Sequence, residues 1–211
     1  MRRQPFGMSG ADASVPRRIT GPDRVLLLLL TILLSLSSCL PRRTQLDRDI
    51  PVLLQPDMPP GFESAVRDCL AIWNREFGTG LRVAGYHQGG VGRDGRNTIG
   101  LGVAAPPVPG RRRGEGRLDA DRLGFAMNWR KGFRIVETDI LINISWRLAP
   151  RAVMEPEDYC LENLILHELG HMFGLPHEDR EGSLMYPRME PGTARLEIDE
   201  RMRAEFSRRY Y

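Results

Sequence analysis

Beyond its first 38 residues this chain carries no excess charge of either sign. The net +3 of the full sequence resides wholly in residues 1–38, where Arg2, Arg3, Arg17, Arg18 and Arg24 face only Asp12 and Asp23. The balanced remainder excludes a broadly basic surface, and no nucleic-acid partner is expected. Long apolar runs are lacking too. The dominant one, Val25 to Leu36, has twelve residues, against the ~20 that a membrane-spanning helix needs. There is no internal repeat, and 211 residues leave little room for a second domain. With 41% hydrophobic and 27% charged side chains, wholesale disorder is excluded as well.

The apolar block has the length of a signal-peptide hydrophobic region, with basic residues before it and Ser37-Ser38-Cys39 after it. Leu36-Ser37-Ser38-Cys39 resembles a bacterial lipoprotein cleavage box. Residues 1–38 are therefore expected to be a signal peptide, residues 39–50 a polar tether, and residues 51–211 the folded domain. A lipid on Cys39 would hold that domain at a bacterial membrane in the cell envelope. The alternatives are plain secretion, or an uncleaved anchor with Cys39 incidental. The stretch before Val25 is long for such a leader, so Met1 need not be the true start. Cys69 and Cys160 remain, and they can either bridge or stay as buried free thiols.

In the mature chain, Ile50 to Leu54 reads as a first strand. Phe62–Phe77 places Phe62, Val66, Cys69 or Leu70, Trp73 and Phe77 on one stripe, so a helix is predicted that stops at Gly78 and Gly80. Leu81–Tyr86 and Thr98–Ala104 read as strands. Pro106–Arg117, with Arg111-Arg112-Arg113, reads as an exposed loop. Leu123–Trp129 and Ile135–Ser145 follow as strands turning near Lys131-Gly132, the second with an alternating pattern. A helix is expected from Glu157-Asp158 to Phe173, and a last one from Ile198 to Arg209. Trp73, Trp129 and Trp146 are expected in the core.

The helix ending at Phe173 contains His167-Glu168-Leu169-Gly170-His171. Histidines four apart stand one turn above each other, so both imidazoles can reach one ion. Glu168 sits one residue round from that face, where a base can take a proton from a metal-activated water. Gly174 lets the chain leave the helix in a left-handed turn. His177 can then return as a third ligand.

His167-Glu168-x-x-His171-x-x-Gly174-x-x-His177, followed by Ser183-Leu184-Met185-Tyr186-Pro187, resembles the metzincin metallopeptidases and within them the matrixins. The resemblance implies an α/β domain with a twisted, mostly parallel sheet, one antiparallel edge strand, an active-site helix and a C-terminal helix. It implies one catalytic zinc, hydrolysis of internal peptide bonds with Glu168 as general base, and a protein or peptide substrate. By the same resemblance Met185 would be the methionine of the turn beneath the metal, and Tyr186 would line a specificity pocket. Leu123-Gly124-Phe125-Ala126 resembles the edge strand that receives substrate, which makes Phe125 and Asn128 candidate substrate contacts. Pro187 stands where a tyrosine ligand would be in related subfamilies. No cysteine-switch segment is expected. With four histidines in all, His87 alone cannot build a second zinc site. Calcium has only Asp94, Asp119 and Asp121 to suggest it, and no loop matches a calcium template. A monomer is expected. The competing reading is a zinc-binding but catalytically idle surface lipoprotein that serves as a binding module.

Overall fold

A computed structural model describes residues 46–103 and 121–211. The apolar block Val25–Leu36, Cys39, Arg111-Arg112-Arg113 and Asp119 lie outside the described residues. Among those described, no helix is long and apolar enough to cross a membrane.

Five strands form one sheet: β1 (Ile50–Leu54), β2 (Leu81–Tyr86), β3 (Asn97–Gly102), β4 (Gly124–Lys131) and β5 (Arg134–Asn143). Their order is β2-β1-β3-β5-β4. The first four neighbours run parallel, and β4 pairs antiparallel with β5, from Gly124 opposite Ile142 to Lys131 opposite Arg134. The antiparallel partner is thus an edge strand, as the resemblance implies. The β4–β5 hairpin turns through Gly132, whose φ of 62° is left-handed.

One face of the sheet is covered by α1 (Phe62–Phe77) and α2 (Leu161–Met172), with α3 (Glu200–Tyr210) packed behind. The stripe on α1 meets expectation: Phe62, Val66, Leu70, Trp73 and Phe77 are all buried. Trp73 stacks on Phe173 with ring centroids 5.1 Å apart, and Phe77 stacks on Phe206 at 4.2 Å. This aromatic cluster joins the end of α2 to α1 and α3, adding directional contacts to a large apolar burial.

Two expectations need correction, and one alternative left open is decided. The strand β5 is buried on both faces, with Asp139, Leu141 and Asn143 buried as well as Ile140 and Ile142. Its alternation predicted a more buried face, but β5 lies between β3 and β4, and the buried polar side chains are satisfied locally. Asp139 accepts from the Gly92 and Thr98 N–H groups at 2.6 and 2.9 Å, and Asn143 donates to the Arg122 carbonyl at 2.7 Å. Second, α2 starts at Leu161 rather than near Glu157. Tyr159–Cys160 is strand β7, paired parallel with β6 (Leu148–Ala149), so those residues are extended before the helix begins. No bridge joins Cys69 and Cys160. Both are buried free thiols, each turned to Glu162: Cys69 Sγ lies 3.6 Å from its carbonyl and Cys160 Sγ 3.6 Å from its carboxylate. Burial pushes both thiols above their usual pKa.

The polar stretch before β1 takes part in the fold. Leu46 packs on the core, Asp47 pairs with Arg134, and Asp49 meets Arg82 at 2.7 Å.

Candidate metal centre

The helix α2 is almost wholly buried, since Leu164, Ile165, Leu166 and Leu169 face the core. It ends where Gly174 adopts φ 75°, with the Gly174 N–H on the His171 carbonyl at 2.8 Å and the Leu175 N–H on the Gly170 carbonyl at 2.9 Å. That left-handed exit turns the chain back. His177 Nε2 then lies 3.2 Å from His167 Nε2 and 3.0 Å from His171 Nε2.

The protonation of these rings follows from their outer partners. His167 Nδ1 meets the Leu184 carbonyl at 2.8 Å, and His171 Nδ1 meets the Leu175 carbonyl at 2.9 Å. A carbonyl only accepts, so each Nδ1 carries the hydrogen and each Nε2 turns a lone pair inward. Burial, with the neighbouring histidines adding to it, lowers the His167 pKa to about 3. It also lowers those of His171 and His177. Neutral nitrogen lone pairs crowded around one point repel unless a cation joins them. Tetrahedral zinc, at about 2.0–2.1 Å from each nitrogen, sets its ligands a little over 3 Å apart. The two separations from His177 fit, and all three ligand atoms lie within 4.8 Å of one another. Among the described residues these three are the group of His, Cys, Asp or Glu side chains able to hold an ion.

Glu168 is 4% exposed, and its Oε2 has no partner. Burial pushes its carboxyl up to about 8, while the Ala126 backbone N–H and the charge of Arg122 act the other way. Histidines and glutamate open on one cavity of about 780 Å³, whose opposite wall is β4. Gly124, Ala126, Asn128 and Arg130 line it at alternate positions, together with Phe125. Leu164, Trp146, Tyr159, Tyr186 and Met189 line it as well.

A family model for the matrixins matches residues 81–206, more than half of the chain. The chain belongs to the matrixin family. Matrixins are metallopeptidases, and the match takes in β2 to β5, α2 and most of α3. A stretch of 38 residues, 18% of this matrixin, is 40% identical to Metalloendoproteinase 1-MMP of Arabidopsis thaliana. It covers 10% of that protein's length.

The turn after His177 lies against α2. Met185 is 1% exposed, its carbonyl accepts from the Glu178 N–H at 3.0 Å, and its N–H meets Ser183 Oγ at 3.2 Å. A methyl group on Gly170 would come within 2.3 Å of Met185 Sδ. Gly170 therefore permits the methionine's close approach, a role the motif did not reveal. A lone glycine inside a helical pattern is the signal that marks it. Asn128 lines the cavity and is also tied into the fold. Its amide donates to the His171 carbonyl at 2.7 Å and its oxygen accepts from Thr138 at 2.5 Å, tying β4 to the end of α2. Trp146, expected in the core, lines the cavity and meets Tyr159 edge-on at 5.5 Å, whereas Trp73 is fully buried. His87 lies apart from the centre, 3.1 Å from Asp94 and 3.3 Å from Arg96.

Proposed function

We propose that this matrixin is a zinc-dependent endopeptidase hydrolysing internal peptide bonds of proteins. One arrangement carries the reading: three inward-facing imidazole nitrogens and the unpartnered oxygen of a buried carboxylate open on a single cleft. His167, His171 and His177 would hold the ion. Zinc bound there supplies Lewis acidity, which lowers the pKa of water and polarises a peptide carbonyl.

Glu168 is the group that moves the proton. Its free Oε2 can accept a proton from water and return it to the departing amine nitrogen. The Ala126 N–H orients the carboxylate without consuming that oxygen. The edge of β4 lies along the cleft and can take an extended peptide as one more strand. Phe125 and Tyr186 on the cleft walls would contact side chains beside the cleaved bond. Met185 acts through its neighbour, since the carbonyl of Leu184 holds His167 Nδ1.

The reading extends to the leader. Residues 1–38 would export the domain, and a lipid on Cys39 would tether it in the cell envelope of a bacterium.

The test is to count zinc in the purified protein and assay peptide cleavage with and without chelator. The expected result is one zinc per chain, chelator-sensitive cleavage, and loss of at least ~10²-fold in kcat for Glu168→Gln with zinc retained. Zinc without cleavage across broad peptide libraries would favour the idle binding module. Absence of zinc would remove both readings.

A further inference from the structure

Arg130 lines the catalytic cleft, and the Arg209 guanidinium approaches it beside Gly174, another lining residue. Arg130 closes the row of cavity-lining residues on β4 and is exposed. No carboxylate among the described residues lies within ion-pair distance of it. A methyl group on Gly174 would sit 3.5 Å from Arg130 Nη2 and 3.1 Å from Arg209 Nη1, so both guanidinium groups face the same point beside that glycine. Arg209 is poorly served by its surroundings. Its Nε is buried without a partner, and its carboxylate neighbour, Glu205, stands 3.5 Å off while also pairing with Arg208. Both charges also act on the Tyr210 phenol, opposing the rise that burial causes. Like charges this close repel, and an anion placed between them relieves the repulsion. Guanidinium forks match a carboxylate in shape as well as charge.

The position of this pair along β4 says which carboxylate. Ala126 meets Glu168 and marks the level of the reacting bond. Arg130 is four residues further, roughly 13 Å along a strand. A substrate strand pairs somewhat more favourably when antiparallel to β4, which puts its N-terminal side against Arg130. Resting on the endopeptidase reading, we infer that Arg130 and Arg209 form a carboxylate-binding subsite selecting an acidic side chain about three or four residues N-terminal to the cleaved bond.

The experiment has two arms. Cleavage of peptide libraries by the zinc-loaded protein locates the scissile bond. Calorimetric titration of the zinc-loaded Glu168→Gln protein then compares peptides with Glu or Gln at each position around that bond. About tenfold tighter binding of the Glu peptide is expected at the third or fourth N-terminal position, shrinking as salt is added. Arg130→Ala should abolish the difference. Arg130→Glu should reverse it in favour of Lys, which a merely destabilised protein would not do. Equal binding of Glu and Gln peptides, a preference that survives Arg130→Ala, or one on the C-terminal side would each overturn the subsite. Cleavage without acidic preference would overturn the subsite and leave the peptidase reading standing. Arg130-dependent Glu preference without cleavage would do the opposite, and neither cleavage nor binding would overturn both.

Discussion

Replacing Gly170 by alanine should destabilise the protein and weaken its metal centre, even though alanine is the better helix former. The added carbon would lie 2.3 Å from Met185 Sδ and 2.9 Å from its Cε, with Met202 Cε at 3.7 Å. Comfortable non-bonded contact is about 3.5–4.0 Å, so the sulfur would have to withdraw by more than roughly an ångström. A methionine is adaptable where there is space. Here Met185 is 1% exposed and Met202 2%, and the Met185 backbone is held by Glu178 and Ser183. Overpacking of this kind costs about 1–3 kcal/mol, and glycine to alanine inside a helix returns about 0.5–1 kcal/mol. The net loss is about 1–2 kcal/mol, a fall in Tm of roughly 2–8 °C at this size. Displacing Met185 also shifts Leu184, whose carbonyl positions His167, so zinc affinity should drop about tenfold. Thermal unfolding of zinc-loaded and chelated protein, with competitive zinc titration, measures both. Adding Met185→Ala removes the colliding atoms, so the double variant should be more stable than the sum of the single effects by about 1 kcal/mol. A Gly170→Ala protein as stable as the parent, or strictly additive variants, would refute the claim that this contact constrains the fold.

Metal loading should release about one proton at pH 7, because Glu168 is protonated below its pKa of about 8 in the metal-free protein and must ionise beside a dication. The histidines, with lowered pKa values, are already neutral and add none. Calorimetry in buffers of different ionisation enthalpy should give that count, and Glu168→Gln should remove it; an unchanged count would assign the proton elsewhere. Buried Asp139, its carboxyl raised from 3.8 to about 6 chiefly by burial, should make the protein less stable as pH rises. Between pH 4 and 6 the folded chain keeps a proton that the unfolded chain has released, so stability falls across that window and is level above it. The loss is roughly 2–3 kcal/mol. It should be absent from Asp139→Asn in chemical unfolding followed against pH, and a parallel pH profile for that variant would exclude Asp139 as the source.

What the chain disclosed before folding was local and periodic. The stripe on Phe62–Phe77, the i, i+4 histidines and the left-handed exit at Gly174 each depend on neighbours within a few residues, so spacing was enough to read them. The edge position of β4 came from resemblance rather than periodicity. The start of α2 was misjudged because Tyr159–Cys160 is claimed by Leu148–Ala149, a pairing across a loop that helical signals cannot register. Asp139 and Asn143 fall on the side that the alternation left less buried, yet the backbone groups that satisfy them come from other segments.

The three histidines show the same division. Their spacing determined that two could share an ion and that a third could follow. Only the tertiary structure decided their state. Carbonyls of Leu184 and Leu175 fix which nitrogen faces inward, and burial keeps the rings neutral. It also set Met185 against Gly170 and brought Arg209, from the last helix, to Arg130 on the edge strand. Contacts between residues far apart in sequence arise from how the layers pack, and no local pattern encodes them.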